Sequence, residues 1–318
     1  MIILVRLERM ASDMLKLESK LLNTIAGIAD IPVGAYNIRK NGQAMARQST
    51  QNIDIIPKTD KPGIDIKVKP NTKNEKMHIP VILTETGLDD VVYNDFYIGD
   101  NAEIEIVAGC GIHNCGDKKS QHDGIHAFYI GKNCKVKYVE SHYGEGEGTG
   151  ARILNPQTIV HIGEGSSVEM EMVQIGGVDS TKRDTQAYLD NGAKLLMTER
   201  LLTENEQYAE SNVVIDMNGN DSSCRIVSRS IGKDKSKQVF HPIVRGNAPC
   251  RAHVQCDSII MGDAKITSIP EIDANDGDAQ LVHEAAIGKI NNDQLLKLMT
   301  LGLDENEAEE VIVEGFLK

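Results

Sequence analysis

Apolar positions change their period several times along this chain of 318 residues. From about Val5 to Ala29, Leu7, Met10, Met14, Leu15, Leu17, Leu21, Leu22 and Ile25 recur at threes and fours, which predicts an amphipathic helix. Residues 36–78 lose that period. They are polar, rich in Lys and Asn, and punctuated by Pro57, Pro62 and Pro70. They read as a loosely structured linker holding one alternating strand, Ile64–Val68.

The middle of the chain repeats itself. Tyr97-Ile-Gly-Asp-Asn-Ala-Glu-Ile-Glu-Ile-Val107 returns as Tyr129-Ile-Gly-Lys-Asn-Cys-Lys-Val-Lys-Tyr-Val139, and then as His161-Ile-Gly-Glu-Gly-Ser-Ser-Val-Glu-Met-Glu171, each time 32 residues later. Looser copies follow near Leu189, Met217, Val244 and Met261. Each unit is a short apolar stretch, a Gly/Asn/Asp turn and an alternating strand. A strand-and-turn repeat of this length predicts a solenoid in which each unit is one coil. Gly and Asn supply the corners that need positive φ. A left-handed β-helix built on hexapeptides repeats about every six residues, so a right-handed parallel β-helix with long coils fits better. A β-sandwich with chance similarity between hairpins is the rival.

The C-terminus becomes helical. Asn291–Leu301 ends at Gly302, a natural C′ stop. Asp304 with Glu307 makes a capping-box start for a second helix, Glu305–Leu317, with an apolar stripe of Ala308, Val311, Ile312 and Leu317. The expected organisation is an N-terminal helix and linker (1–78), a β-helix core (79–278) and a helical C-terminal domain (279–318).

Charge then narrows the function. A formal net charge of −13 argues against a nucleic-acid or anionic-membrane partner, which would need a basic face. Aromatic residues are only 4%, with no Trp, which disfavours carbohydrate or single-strand stacking surfaces. No stretch approaches a membrane span or a signal-peptide core, and six cysteines in a chain of this size read as thiols, metal ligands or core residues, so a cytoplasmic location is expected.

Common catalytic signatures are missing: no P-loop, no nucleophile elbow, no C-x-x-C pair and no second histidine after His283-Glu284. Three clusters remain. The first is Cys256 with Cys250 and His253. His283 and Glu284 follow Cys256 by 27 and 28 residues, about one coil, and thiolate, imidazole and carboxylate together suit iron or an iron–sulfur precursor. A lone cysteine on a strand is more often a buried hydrophobe. The second is Cys110-Gly-Ile-His113-Asn-Cys115 with His122, Asp123 and His126, read as a turn that holds a metal or exposes a reactive thiol, or as plain solvated loop. The 32-residue repeat puts Cys110 in register with His142. The third, Gly144-Glu-Gly-Glu-Gly148, reads as a flexible acidic corner.

Ala252-His-Val-Gln-Cys-Asp-Ser-Ile-Ile-Met-Gly-Asp263, Val282-His-Glu-Ala-Ala-Ile-Gly-Lys-Ile290, Asp293-Gln-Leu-Leu, Gly302-Leu and Gly315-Phe-Leu resemble the SufB/SufD family of iron–sulfur cluster assembly proteins. The resemblance spans roughly residues 80–318, in a compact SufB-like form. It implies a right-handed parallel β-helix with a helical C-terminal domain. It further implies a scaffold rather than an enzyme, with ATP hydrolysis supplied by a SufC-like ABC-type ATPase. Leu295, Leu298, Leu303, Val311 and Phe316 of the C-terminal hairpin would dock that ATPase. The last coils would pair two chains as a homodimer, and a cysteine desulfurase or sulfur carrier would deliver sulfur. By the same resemblance Cys256 is the cluster-assembly cysteine, with His283 and Glu284 beside it at the dimer interface, holding a transient iron–sulfur cluster or iron. The sulfur-accepting thiol is left among Cys110, Cys115, Cys134 and Cys224, with Cys110 ahead for its His-rich surroundings. Two other functions stay open: a β-helix enzyme acting on acidic polysaccharide, and a purely structural solenoid without metal.

Overall fold

The computed structural model describes residues 16–318; the predicted helical residues before Lys16 lie outside them. Two long sheets face one another. The first runs β2 (Gln43–Gln48), β1 (Ala35–Lys40), β5 (Glu75–Leu83), β7 (Glu103–His113), β9 (Lys135–Glu145), β12 (Ser167–Ile175), β14 (Lys194–Thr203), β16 (Ser222–Gly232), β18 (Cys250–Ile260) and β21 (Gln280–Gly288). The second runs β3 (Ile53–Pro57), β4 (Gly63–Val68), β6 (Asp89–Ile98), β8 (Ser120–Ile130), the interrupted pair β10 (Arg152–Leu154) and β11 (Gln157–Ile162), then β13 (Ser180–Leu189), β15 (Tyr208–Met217) and β17 (Lys237–Gly246). It closes on β19 (Lys265–Ser268) and β20 (Glu271–Ala274), both paired to β17. Successive strands alternate between the sheets, giving a parallel β-solenoid of about eight turns.

The repeat in the sequence is the register of the coils. Tyr97 pairs with Tyr129, and Tyr129 with His161. Later coils are shorter: Val168 pairs with Leu195, Leu195 with Cys224, and Cys224 with Ala252. Interior positions alternate along each strand, so Val168, Met170 and Met172 of β12 are buried while their neighbours face outward. Each such side chain contributes roughly 1.5–3 kcal/mol on burial. At the corner of successive coils Asn101, Asn133, Gly165 and Gly192 all have φ between 55° or so and 70° (59°, 54°, 69° and 65°), as the Asn/Gly turn signal predicts.

Residues 36–78 differ from expectation. Ile64–Val68 lies in β4 as predicted, but the flanking stretch is no loose linker: it also forms β1, β2, β3 and the start of β5. The two sheets therefore extend on both sides of the expected 79–278 core. The prolines sit where they break no interior ladder, Pro57 ending a strand and Pro62 and Pro70 lying between strands. Helix α1 (Lys16–Ala26) lies over β5, β7 and β9, and its Leu21, Leu22 and Ile25 share one buried cluster with Tyr36 and Ile38 of β1, Ile82 of β5 and Val107 of β7. Gly109 is needed beneath α1, since a Cβ there would fall 2.6 Å from the Ile25 carbonyl oxygen.

The C-terminal helices match their sequence signals. α2 (Asn292–Thr300) is capped by Asn291 and ends before Gly302 at φ 104°. α3 (Glu305–Leu317) starts with the Asp304/Glu307 capping box. Its buried residues are Ala308, Val313 and Leu317, and the last two pack on Ile231 with Leu202, Ile259 and Met261. Val311, expected in the buried stripe, is exposed instead. The two ends of the solenoid differ. The first coils are covered by α1 and by the antiparallel hairpins β1–β2 and β3–β4. At the other end β19, β20 and β21 leave Ile269, Ile272, Val282 and Ile287 exposed.

Candidate functional site

Alternation of side chains decides what meets at the open end. Cys256 lies on β18 with its side chain inward, 3% exposed. β21 is the neighbouring edge strand, and His283 stands opposite Val254, one of the inward positions. Cys256 and His283 therefore sit diagonally across one ladder, with Cys256 Sγ 3.2 Å from His283 Nε2. Burial pushes the Cys256 thiol up to about 11, with the Ser268 hydroxyl pulling the other way, and burial lowers the His283 imidazole despite Glu284. The resting pair is a neutral thiol against a neutral imidazole. Both states are those a metal ligand must leave or keep: the thiol ionises on binding, and the imidazole is ready.

Glu284 follows His283 directly and so points to the other face of the strand. It pairs outside with His253, Oε1 to Nε2 at 3.1 Å. The structure brings Cys256 and His283 together and places Glu284 on the outer face beside them. Cys250 and Cys224 are buried apolar-type thiols in the main core, and burial pushes Cys224 up to about 12.

The Cys110–His126 segment is not a turn but two strands, β7 and β8, joined by the loop 114–119. Cys110 faces inward, 2% exposed, and pairs in register with His142 as the repeat implies. Burial, with Asp90 and Glu140 nearby, pushes its thiol well up. Cys115 is on the loop and exposed, its Sγ 3.0 Å from His113 Nε2. The acidic corner is tied down: Glu145 meets Lys20 and His113, and at Gly146 a Cβ would fall 2.3 Å from the Asn114 carbonyl oxygen.

A row of buried polar groups, not foreseen as a unit, runs inside the solenoid between these regions. Tyr138 donates to Glu140 (3.1 Å). Arg183 reaches Glu140 (3.4 Å) and Glu199 (3.8 Å), and Ser211 (2.8 Å) and Ser228 (3.2 Å) donate to Glu199. Burial alone would raise the Glu140 carboxyl, but His142 and Arg183 outweigh it and hold the group ionised, well below the usual carboxylate range. Ser228 is the ladder partner of Cys256, so the row ends next to the open-end thiol. The alternation of polar residues at inward positions of β8, β9 and β13 was the available signal.

The expected docking residues divide. Leu295, Leu298, Leu303 and Phe316 are half-buried in the hairpin and against β16 and β18, while Val311 is exposed. Leu296, Met299 and Leu301 are the other exposed apolar residues of the hairpin. Among the described residues no helix is long and apolar enough to cross a membrane, and no group of three or more His, Cys, Asp and Glu is spaced to hold a metal ion.

The fold and site together define a parallel β-solenoid with an uncapped end, an inward thiol–imidazole pair on its last two strands and a helical hairpin beyond. Residues 92–316 match the family described as "SUF system FeS cluster assembly, SufBD core domain". The chain belongs to that family, and its role lies in iron–sulfur cluster assembly. It is similar to an iron–sulfur cluster assembly SufBD family protein of Methanocaldococcus jannaschii, 31% identical over 246 residues that cover 76% of each chain. It is also similar to one of Archaeoglobus fulgidus, 27% identical over 71% of this chain and 60% of that one. A third, from Pyrococcus horikoshii, is 25% identical over 77% and 75%.

Proposed function

We propose that this chain is a scaffold on which a nascent iron–sulfur cluster is built at the open end of the solenoid, between two copies of the chain. The observation that carries this reading is the 3.2 Å contact of Cys256 with His283 on the last two inward positions before solvent. One chain offers one thiol and one imidazole, fewer ligands than the four a cluster usually takes from protein. Two copies related by a two-fold axis would double the set. The unpaired edges of β19, β20 and β21, with Ile269, Ile272, Val282 and Ile287 exposed, suit such an isologous contact, since an uncovered edge is a template for pairing. Glu284, on the outer face of the same strand, would act from the rim.

Energy would come from a SufC-like ATPase held by the exposed Leu296, Met299, Leu301 and Val311 of the hairpin. Because α3 packs on β16 and touches Ile259 and Met261 next to the site, movement of the hairpin would be felt at Cys256. In that reading ATP binding opens the pair to iron and sulfur; the chain itself performs no catalysis. Sulfur from a cysteine desulfurase or carrier would enter at Cys115, whose thiol is exposed and beside an imidazole, rather than at the buried Cys110. Anaerobic reconstitution with ferrous iron and a sulfur source tests the site. Iron and sulfide bound by wild type should be lost in Cys256→Ser and in His283→Ala, with circular dichroism unchanged. Full retention in both variants would move the chemistry elsewhere.

A further inference from the structure

Far from the open end, a thiol, an imidazole and a carboxylate stand in line at the surface of the early coils. His113, the last residue of β7, pairs in register with Glu145, the last of β9. Cys115 follows two residues later in the loop 114–119. Its Sγ lies 3.0 Å from His113 Nε2, and His113 Nδ1 lies 3.4 Å from Glu145 Oε1. The two ring nitrogens therefore face different partners. The thiol is exposed, and the nitrogen facing Glu145 is buried.

The two oxygens of Glu145 have separate neighbours. Oε2 meets Lys20 of α1 and accepts from the Tyr143 hydroxyl at 3.2 Å, which leaves Oε1 to face His113. Burial alone would raise this carboxyl, but Lys20 and Tyr143 outweigh it and hold the group below its ordinary value. A carboxylate can only accept, so Glu145 favours the tautomer with the proton on Nδ1 and the lone pair on Nε2, towards the thiol. As the side chains rest, Nδ1 makes no hydrogen bond among the described residues. A second proton on the ring would draw Nδ1–H to Oε1, since charge-assisted bonds are shorter and stronger.

The loop that carries Cys115 is pinned. Asn114 Nδ2 donates to the carbonyls of Lys118 (2.8 Å) and Gly150 (3.0 Å), and Asn114 Oδ1 accepts from Gly116 N at 3.0 Å. Gly148 N and Gly150 N donate to the carbonyls of Asn114 (3.1 Å) and Gly116 (2.9 Å). A Cβ on Gly148 would fall 2.3 Å from the Gly116 carbonyl oxygen. The acidic glycine corner is thus the seat of this loop and the source of the carboxylate. Neither the loop 114–119 nor the corner 144–150 carries a large apolar side chain. Protein partners are held chiefly by desolvated apolar and aromatic anchors, so these surroundings suit a small sulfur donor.

We propose that Cys115, His113 and Glu145 form a nucleophilic triad that takes sulfane sulfur from a low-molecular-weight persulfide. The proposal rests on sulfur entering at Cys115 and adds the groups that perform the step. His113 Nε2 takes the thiol proton, and the Cys115 thiolate attacks the terminal sulfur of the donor R–S–SH. The bond from Cys115 Sγ to that sulfur forms as the donor S–S bond breaks, and the electron pair leaves on the donor thiolate. That thiolate takes the proton from His113. Cys115–SH and R–S–SH give Cys115–S–SH and R–SH, with no oxidant or reductant. Glu145 is a positioning residue that steadies the imidazolium. The chain is loaded once per sulfur and does not turn over, so it remains a scaffold.

The test incubates the full chain anaerobically with glutathione persulfide and follows the gain of one sulfur atom by intact mass and peptide mapping. Cys115 should load first. His113→Ala should slow that loading roughly 100-fold or more, and free imidazole should restore part of the rate, which a structural role would not allow. Glu145→Gln should also slow loading, yet cost nothing further in the His113→Ala background, because it acts through that ring. No sulfur gained at Cys115, or a His113→Ala chain that loads at the wild-type rate, overturns the proposal. Sulfur entry at Cys115 fails separately, when Cys115→Ser builds cluster from a cysteine desulfurase and cysteine as fast as wild type.

Discussion

Cys256 Sγ lies 3.2 Å from His283 Nε2, yet the two residues are on different strands and are not direct ladder partners. The ladder pairs Cys256 with Ala285 and His283 with Val254. The contact is a diagonal one between inward positions, reachable because the imidazole is long and leans along the strand. It leaves both groups in their neutral forms, close to solvent and on the edge where the solenoid stops.

Thiol exposure sets an order of reactivity. Cys115 is exposed beside His113, whereas Cys110, Cys134, Cys224, Cys250 and Cys256 are buried. Under native conditions a maleimide should modify Cys115 first, as followed by intact mass and peptide mapping. Cys256 should follow slowly, since burial pushes its thiol up to about 11, and Cys224 should react only on unfolding.

Arg183 is the hub of the buried row, contacting Glu140, His142 and Glu199. Arg183→Met removes the cation and leaves two carboxylates unpaired in the core. A loss of about 3–5 kcal/mol in urea unfolding is expected, the magnitude typical when one partner of a buried ion pair is deleted. A loss below about 1 kcal/mol would contradict a buried, ionised Glu140 held by Arg183.

Alkali should weaken the fold through Cys224. Its folded pKa is pushed up to about 12 from an ordinary value of 9.0. Between those values the unfolded chain has lost the proton that the folded chain retains. Stability is therefore fully present below about pH 9 and declines as pH rises towards 12. Cys224→Ala should flatten that decline in melting temperature, at the cost of a small cavity near Cys250.

The open edge and the hairpin should be separable. Val282→Lys places a charge on the exposed face of β21 and should abolish self-association in sedimentation while leaving the melting temperature within a few degrees. Leu301→Asp, at the most exposed apolar side chain of the hairpin, should release a SufC-like ATPase in pull-down and leave self-association intact.

Much of this architecture was legible in the sequence. The 32-residue repeat is the observed register of Tyr97, Tyr129 and His161, and the Asp304/Glu307 box and Gly302 bound the helices. One coil of spacing was enough to bring His283 to Cys256. Strand parity, which sends Glu284 to the opposite face from His283, is legible in the same stretch. The strands within 36–78 were hidden because their burial depends on α1 and on later coils: Ile53, Ile55, Ile64 and Ile66 alternate as a strand should, among prolines and lysines that read as linker. His122, Gly124 and His126 look like loop residues when counted by composition; only the period of two, on one strand, makes them an interior set. Val311 falls outside the buried stripe because the hairpin packs through Val313 and Leu317 instead.

The central claim is that Cys256 and His283 hold the nascent cluster. Pulsed electron paramagnetic resonance on the reduced, reconstituted cluster tests it most directly. The account predicts coupling to an imidazole nitrogen that shifts with nitrogen-15 histidine labelling and vanishes in His283→Ala. A cluster whose nitrogen coupling is the same in wild type and His283→Ala would contradict it.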